Sequence, residues 1–285
     1  MTTSHTHHYY GKTALITGGS SGIGLALAKK LAAAGANVFI LARRPELLKK
    51  ACQEIQQSCK EPSQKIDFIS ADIVNFEKLS KKLTDFFAEN SSPDILINSA
   101  GVAHPGRFDS LDLEVFHWLM NVNYFGTVNV TKIVVPEMIR REKGLIINIS
   151  SIAGFLGVYG YTAYSGSKYA VRGFSDVLRA ELKPHNIQVS IVFPPDTQTP
   201  QLDYENQFKP DITKELASTA GLMSPDDVAC QTLKKAAKGK YIITPGFEAT
   251  IMFQLSNLFA GLVYPIMDKL IIDAQRKIEH QNHLK

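Results

Sequence analysis

The chain has 285 residues, and its composition of 45% hydrophobic and 20% charged residues excludes a disordered chain and is sufficient for a large buried core. The formal net charge of +4 comes from 31 basic and 27 acidic residues. These charges form no block of one sign, so a nucleic-acid partner is not expected.

Residues 1–10 contain no apolar segment of signal-peptide type, so we expect a flexible N-terminal tail and no secretion. Three histidines in this segment have no acidic or thiol neighbour, and no metal site is predicted. The cysteines Cys52, Cys59 and Cys230 are few, odd in number and without metal-ligand spacing. They favour a reducing compartment over a disulfide scaffold, and we therefore expect a cytoplasmic protein.

Short β-branched segments alternate with helical patterns along residues 11–245. This alternation is typical of repeated βα units, and several strands are apolar throughout, as expected for a sheet covered by helices on both faces. The sequence therefore predicts an α/β fold of Rossmann type, a doubly wound parallel sheet of about seven strands in a single domain. The predicted strands are Thr13–Thr17, Val38–Leu41, Ile66–Ser70, Ile95–Asn98, Leu145–Ile149, Val189–Phe193 and Tyr241–Ile243.

Three predicted helices have recognisable ends. An alanine-rich apolar segment, Leu25–Ala34, stops at Gly35, which is a good C-terminal cap. One long helix is predicted over Tyr161–Lys183 and is ended by Pro184. Another helix has Ser224 as its N-terminal cap and a proline at its first position.

The first predicted strand runs directly through a glycine-rich turn, Gly18–Gly24, into a helix. Residues without a Cβ atom let backbone N–H groups and the helix N-terminus approach a pyrophosphate closely. The strand–turn–helix context favours a dinucleotide-binding turn over a purely structural one. The residues predicted to contact the cofactor here are Gly18, Ser20, Ser21, Gly22, Ile23 and Gly24.

The end of the second strand indicates which dinucleotide is bound. Arg43 and Arg44 follow this strand, and no acidic residue occurs before Glu46. An acid at this place accepts hydrogen bonds from the ribose of NAD, whereas an arginine favours the 2′-phosphate of NADP. We therefore expect NADPH as the cofactor, with Arg43 as a contact, although both arginines are also compatible with solvated surface charges.

Tyr164 and Lys168 are placed on one face of the predicted long helix by their i, i+4 spacing. A nearby cation favours the ionised form of a phenol, whose ordinary pKa is about 10, so Tyr164 is a candidate for proton exchange with a substrate oxygen. Such pairs also occur on solvated helices. Ser151 makes the catalytic interpretation more specific, because it follows the fifth strand at the sheet edge where ligands bind.

Taken in chain order, these motifs resemble those of the short-chain dehydrogenase/reductase family, and the resemblance covers roughly Lys12 to Ile243. The matching motifs are Thr17-Gly18-x-x-x-Gly22-x-Gly24, Asn98-Ser99-Ala100-Gly101, Asn123, Ser151 and Tyr164-x-x-x-Lys168. The family implies a nicotinamide-dependent oxidoreductase. In such an enzyme hydride transfer leaves negative charge on the substrate oxygen, and the protein contributes position and electrostatics.

The resemblance also implies a role for each residue. Tyr164 would be the general acid in ketone reduction, and Ser151 would hydrogen-bond the substrate carbonyl. Lys168 would bind the nicotinamide ribose and lower the pKa of the tyrosine, and Asn123 would hold a water in the proton relay. The remaining implied cofactor contacts are Asp72, at the adenine, and Asn98, Ala100, Gly101, Pro194, Thr197 and Thr199.

The segment after the sixth strand bears on the substrate. It reads Pro194-Pro195-Asp196-Thr197-Gln198-Thr199-Pro200, followed by an acid-rich turn over residues 201–206 and Lys209-Pro210, where the general family usually has Pro-Gly at the first two positions. This segment resembles the 3-ketodihydrosphingosine reductase branch. That resemblance implies NADPH-dependent reduction of 3-ketodihydrosphingosine to dihydrosphingosine in sphingolipid synthesis. The segment is also compatible with a rigid lid unrelated to substrate identity.

Two other functions stay open. One is a short-chain dehydrogenase/reductase that acts on a steroid or another bulky apolar ketone or alcohol. The other is a non-catalytic NADP(H)-binding sensor or scaffold, which is disfavoured because Ser151, Tyr164 and Lys168 are all present. The helices around Phe116–Ile139 and Tyr161–Lys183 are expected to form a homo-oligomer, as is usual in the family.

Residues 246–285 are predicted to form an apolar helical extension, in which residues 249–267 carry no charge. Apolar side chains recur there at helical spacing, namely Met252, Leu255, Phe259, Leu262, Ile266, Met267 and Leu270. Such a helix packs on its own domain or another subunit, or lies in a membrane interface. Polar residues and Pro265 argue against a membrane span. We expect peripheral contact of residues 249–271 with the cytoplasmic face of a membrane, or a hydrophobic substrate entrance.

Overall fold

A computed structural model describes residues 7–218 and 221–283. In this part of the chain seven parallel strands form one sheet in the order β3-β2-β1-β4-β5-β6-β7. The strands are β1 Thr13–Thr17, β2 Asn37–Ala42, β3 Ile66–Ser70, β4 Ile95–Asn98, β5 Gly144–Ile149, β6 Ile187–Val192 and β7 Ile242–Ile243. The predicted Rossmann-type sheet is thereby confirmed.

The described residues also form eleven α-helices, which cover both faces of the sheet and extend beyond it. They are α1 Gly22–Ala33, α2 Pro45–Gln56, α3 Phe76–Glu89, α4 Leu113–Leu119, α5 Gly126–Arg140, α6 Thr162–Leu182, α7 Pro200–Phe208, α8 Asp211–Ala217, α9 Pro225–Ala236, α10 Phe247–Leu258 and α11 Ala260–His283. A π-helical segment, Met120–Phe125, joins α4 to α5.

The central strand β1 explains why the strands are apolar throughout. All five of its residues are buried. Ala14 and Ile16 belong to one hydrophobic cluster together with residues of α1 and α9, whereas Leu15 belongs to a second cluster with residues of α3, α5 and α6. Successive side chains of a strand point to opposite faces, so both faces must be apolar when helices cover both.

The predicted helix ends agree with the structure to within a few residues. Helix α1 begins at Gly22, three residues before the apolar segment, because the glycine turn opens directly into the helix. Helix α6 differs from its predicted bounds by one residue at each end. Ser224 caps α9 by accepting a hydrogen bond from the backbone N of Asp227 at 3.1 Å.

The flexible tail predicted over residues 1–10 is wrong for its last part, whereas residues 1–6 lie outside the described residues. Tyr9 is 1% exposed and belongs to the cluster that also contains residues of α1 and α9. Its hydroxyl donates a hydrogen bond to the carbonyl oxygen of Leu233 at 2.7 Å. The composition of this segment is polar, which favoured a flexible tail. The buried ring of Tyr9 and the hydrogen bond of its hydroxyl nevertheless fix the segment to α9.

The C-terminal extension consists of two helices rather than the single helix that the apolar spacing predicted. The helical dihedrals break at Phe259, between α10 and α11. Phe253, Val263 and Met267 pack on a buried cluster that contains Phe193, and the Phe253 and Phe193 rings stack at 5.5 Å. No helix within residues 7–218 and 221–283 is long and apolar enough to cross a membrane.

The revised domain start can be tested by truncating the Tyr9 side chain. We expect Tyr9→Ala to lower the free energy of unfolding by about 3–5 kcal/mol, because a buried ring and its hydrogen bond are lost. Tyr10→Ala is the control: this side chain is 47% exposed, and we expect a change below about 1 kcal/mol. Urea denaturation measures both, and an equally small loss for the two variants would restore the tail interpretation.

Candidate active site

A cavity of about 1220 Å³ lies at the carboxyl ends of the central strands. It extends from the glycine turn after β1 to side chains of α10 and α11. Fifteen residues that the sequence predicted as cofactor contacts line it, namely Gly18, Ser20, Ser21, Gly22, Ile23, Gly24, Arg43, Asp72, Ala100, Gly101, Tyr164, Lys168, Pro194, Thr197 and Thr199. This position is where ligands bind in parallel α/β sheets.

The glycine turn has the close packing that a dinucleotide site requires. Gly18 has φ +68°, and a Cβ atom there would lie 2.7 Å from the Cα of Ala100. A Cβ atom on Gly24 would overlap the carbonyl oxygen of Gly18. Helix α1 begins without a side-chain cap at Ser21, so its first N–H groups are left for another acceptor. These features fit a pyrophosphate at the helix N-terminus.

The other end of the cofactor region carries positive charge. Arg43 and Arg44 are exposed after β2 and line the cavity. No ion pair joins either guanidinium to a carboxylate among the described residues. Asp72, which also lines the cavity, accepts a hydrogen bond from the backbone N of Val74 at 3.0 Å and so is held in the turn after β3.

The structure brings Tyr164, Lys168 and Ser151 together at the middle of the cavity. Tyr164 and Lys168 are 9% and 5% exposed and project from α6. The Lys168 ammonium donates to the carbonyl oxygen of Ile149 at 3.1 Å and lies 5.6 Å from the centre of the Tyr164 ring. Ser151 accepts a hydrogen bond from the backbone N of Ala153 at 3.2 Å, which leaves its hydroxyl proton for the cavity side.

Burial dominates the electrostatics of Tyr164, and the predicted lowering of its pKa by Lys168 stays a prediction. Burial raises the pKa of Tyr164 above its ordinary value, and the carboxylate of Glu205 raises it further. Hydrogen bonds with Ser151 and Gln201 lower the pKa but do not outweigh burial. The Lys168 ammonium lies beside the ring and donates to a backbone carbonyl, and it does not dominate the pKa of Tyr164. The phenol is therefore held in its protonated form.

Lys168 is affected by the same burial. Removal from water lowers the pKa of its ammonium to about 8, and the carboxylate of Glu205 opposes this shift. A charge in this position is costly, and it becomes less so when an anion or a hydroxyl group lies beside it.

Asn123 lies in the π-helical segment, and both atoms of its amide have protein partners. Its Oδ1 accepts from the backbone N of Val102 at 2.8 Å, and its Nδ2 donates to the carbonyl oxygen of Val102 and to Ser167, each at 2.9 Å. The side chain thus joins the loop after β4 to α6. Its proposed role in holding a water stays a prediction.

Asn98 is not among the residues that line the cavity, and its predicted contact with the cofactor stays a prediction. Its Nδ2 donates to Asn148 at 2.8 Å and to Thr131 at 3.1 Å. Asn98 and Asn148 are paired in the register of β4 and β5. The amide therefore supports the sheet edge beneath the cavity.

Three polar residues beside Tyr164 were not predicted from the sequence, namely Tyr161, Gln201 and Glu205. Tyr161 donates to Oε2 of Glu205 at 2.7 Å, and Gln201 donates to Oε1 of Glu205 at 2.9 Å. The sequence showed an acid-rich turn over residues 201–206, in which Gln201 and Glu205 have the i, i+4 spacing of one helix face. Their contact with Tyr161, on another element, was not visible because it depends on how α7 folds over the cavity.

The far end of the cavity is apolar. Side chains from the segment after α8 and from α10 and α11 form this end, namely Leu222, Met223, Ile251, Met252, Met267 and Leu270. Among the described residues no group of histidine, cysteine and acidic side chains is arranged to hold a metal ion. The cavity thus joins a glycine turn, a central buried phenol and an apolar chamber.

Comparison with known proteins agrees with this geometry. The short chain dehydrogenase family profile matches residues 12–210, and the chain belongs to the short-chain dehydrogenase/reductase family of NAD(P)-dependent oxidoreductases. It is 36% identical to a 3-ketodihydrosphingosine reductase from Bos taurus, over 91% of this chain and 78% of the relative. One from Dictyostelium discoideum is also 36% identical, over 92% of this chain and 82% of the relative.

A solved structure shows the same fold. A short chain dehydrogenase/reductase from Burkholderia phymatum, in complex with NAD, superimposes with a TM-score of 0.78 at 21% identity. The superposition covers 90% of this chain and 96% of that chain.

The burial of Lys168 makes a prediction about both activity and stability. We expect Lys168→Met to lower kcat/KM for oxidoreduction by about 100-fold or more, because a positioned donor is lost. The free energy of unfolding at pH 7 should not fall, since a costly buried charge is removed. Between pH values of about 8 and 10.5 the unfolded chain binds more protons than the native wild type, so wild-type stability should rise relative to the variant.

Lys183→Met is the matched control, because Lys183 is exposed just after the same helix. It should change neither activity nor the pH dependence of denaturant unfolding. A wild type whose stability relative to Lys168→Met stays flat over that pH interval would contradict the assigned burial.

Proposed function

We propose that the protein reduces 3-ketodihydrosphingosine to dihydrosphingosine with NADPH. The observation that carries this proposal is the continuity of one cavity from Tyr164 to the apolar side chains of α10 and α11. The reaction type is supported by the family, and the substrate is supported by 3-ketodihydrosphingosine reductases that are 36% identical to this chain.

The residues around Tyr164 have the properties that ketone reduction requires. The glycine turn and Lys168 would hold the reduced dinucleotide, which would supply a hydride to the carbonyl carbon. The hydroxyl of Ser151 donates a hydrogen bond to the carbonyl oxygen, on which negative charge develops. Burial keeps the pKa of Tyr164 high, so the phenol holds a proton until this oxygen takes it up.

The apolar end of the cavity suits a long alkyl chain. Met252 of α10 and Met267 and Leu270 of α11 face the chamber, and methionine side chains adapt to flexible apolar ligands. Burial of each additional CH₂ group contributes about 0.8 kcal/mol, so a chamber of this kind favours a lipid over a short ketone. A steroid or another bulky apolar ketone is the alternative substrate class that the same surface admits.

The choice of NADPH over NADH is supported by Arg43 and Arg44. Both line the cavity at the end of β2, and no described carboxylate forms an ion pair with either. A 2′-phosphate would supply the missing negative charge, and guanidinium groups bind phosphate through bidentate hydrogen bonds.

Membrane contact and oligomer formation stay predictions that accompany this function. Phe247 lines the cavity and is 79% exposed, so it lies at the rim. Leu258, Leu262 and Tyr264 are 74%, 61% and 69% exposed on α10 and α11. We propose that this surface lies on the cytoplasmic face of a membrane, where a long-chain ketone would enter directly. We propose that a homo-oligomer forms through the helices around Phe116–Ile139 and Tyr161–Lys183, because oligomers are usual in the family.

The proton donor is tested by Tyr164→Phe. We expect kcat for ketone reduction to fall by about 100-fold or more, because the phenolic proton is lost while the ring is kept. The dissociation constant of NADPH, measured by fluorescence titration, should stay close to that of the wild type. Tyr169→Phe is the control on the same helix, since Tyr169 is 42% exposed, and it should keep full activity.

The substrate is tested by measuring NADPH oxidation with 3-ketodihydrosphingosine and with several steroid ketones. A higher kcat/KM for the lipid ketone is expected. Preference for a steroid ketone would replace the substrate assignment, and absence of turnover with every ketone would favour the sensor or scaffold function.

The cofactor preference is tested by Arg43→Ala. Loss of a charge-assisted hydrogen bond of about 1.5–3 kcal/mol should weaken NADPH binding by about tenfold or more and leave NADH binding nearly constant. Arg140→Ala is the control, because Arg140 pairs with Glu137 away from the cavity. An equal loss of affinity for both dinucleotides would show that Arg43 does not read the 2′-phosphate.

A further inference from the structure

Glu205 is a buried carboxylate on the wall of the reaction cavity. It is 7% exposed, lines the cavity and projects from α7. Its two oxygens each accept one hydrogen bond, from the Tyr161 hydroxyl at 2.7 Å and from the Gln201 amide at 2.9 Å. Both donors are neutral. A carboxylate has about four lone-pair sites, so Glu205 retains acceptor capacity toward the cavity.

The carboxylate of Glu205 interacts with two buried ammonium groups, those of Lys168 and Lys209, but forms no ion pair with either. The ammonium of Lys209 is buried and lies 3.3 Å from Oδ2 of Asp196, which also lines the cavity. Lys209 is thus paired with Asp196, Lys168 donates to the carbonyl oxygen of Ile149, and Glu205 forms no ion pair with any cation of the described residues. Burial and Asp196 raise the pKa of Glu205, while Tyr161, Gln201 and Lys209 lower it. A buried carboxylate in this state gains stability from a cation supplied by a ligand.

Glu205 is also close to the reacting oxygen. Gln201 hydrogen-bonds Glu205, and it also hydrogen-bonds the phenol of Tyr164. The rings of Tyr161 and Tyr164 are 5.7 Å apart, and the Tyr161 hydroxyl binds the carboxylate. The carboxylate therefore lies one side chain away from the group that donates the proton.

The chemistry of the proposed substrate requires a partner at this place. In 3-ketodihydrosphingosine the carbon that bears the amine is bonded directly to the carbonyl carbon, and the amine is protonated near neutral pH. A carbonyl oxygen held by Tyr164 and Ser151 brings this ammonium into the polar part of the cavity. Of the acids that line that part, Asp196 is already paired with Lys209.

We propose that Glu205 binds the ammonium group beside the reacting carbonyl and thereby selects a 2-amino ketone over a plain ketone of the same length. This inference rests on the proposed function and adds a specificity-determining residue to it. Tyr161 and Gln201 are positioning residues, because they orient the carboxylate without meeting the amine. The alkyl chain then extends into the apolar chamber.

The test compares two ketones on Glu205→Gln, which keeps the shape of the side chain and removes its charge. We measure kcat/KM with NADPH for 3-ketodihydrosphingosine and for 1-hydroxyoctadecan-3-one, which lacks the amine. The ratio of the two values should fall by about 30-fold or more, as expected when one partner of a buried charge pair is removed. Asp203→Asn, a matched change at an exposed position of the same helix, should leave the ratio unchanged.

A second measurement does not depend on the folding of the variant. The wild type is assayed with N-acetylated 3-ketodihydrosphingosine and with the free amine. The neutral amide should lower kcat/KM by a factor similar to that of the substitution. Thermal denaturation and the NADPH dissociation constant of Glu205→Gln show whether any loss comes from a damaged fold.

The outcomes separate the two proposals. If Glu205→Gln lowers kcat/KM for both ketones by the same factor, Glu205 acts in proton transfer or in folding, and its role in recognising the amine is overturned. An unchanged ratio, or equal rates for the free and acetylated amines, overturns it as well. If the wild type does not reduce 3-ketodihydrosphingosine but reduces steroid ketones, the proposed function itself fails, and the Glu205 assignment fails with it.

Discussion

Three neighbouring parallel strands end within one residue of one another, and this register brings the glycine turn, Ala100 and Ser151 to one edge of the sheet. Thr17 of β1 pairs with Asn98 of β4, which pairs with Asn148 of β5. Two hydrogen bonds stabilise this register. Thr17 accepts from the backbone N of Ala100 at 3.1 Å, and Asn98 donates to Asn148 at 2.8 Å. The turns after these strands must therefore share one edge of the sheet, and Ser151 is brought beside the glycine turn.

Burial at that edge disfavours charged groups, and two charged side chains on the cavity wall, the exposed Arg43 and the buried Glu205, form no ion pair. Arg43 has no carboxylate in an ion pair, and Glu205 has no cation in one, within the described residues. Burial lowers the pKa of Lys168 to about 8 and raises that of Tyr164. A dinucleotide phosphate and an aminated ketone would supply the missing charges. The unpaired charges of Arg43 and Glu205 would then serve both binding and catalysis.

The chain divides its work along its length. The sheet and helices up to α6 build the cradle and the proton donor, which the whole family needs. The segment after β6 adds α7, which carries Gln201 and Glu205, and the last two helices add apolar walls such as Met252 and Met267. We therefore expect substrate identity to be set by the later elements, which line the cavity beside Tyr164.

Periodicity and turn chemistry were sufficient to predict the strands, the order of the elements, the glycine turn and the Tyr164–Lys168 pair. These features depend on neighbours in sequence, and local backbone sterics and side-chain alternation determine them. Contacts between distant segments were decided only by the tertiary structure. It buried Tyr9 against α9, bonded Asn98 to Asn148 within the sheet and placed Glu205 beside Tyr161, and it made burial the largest cause of the raised pKa of Tyr164. Such outcomes require the solvent exposure and the three-dimensional neighbours of a side chain, which spacing along the chain does not contain.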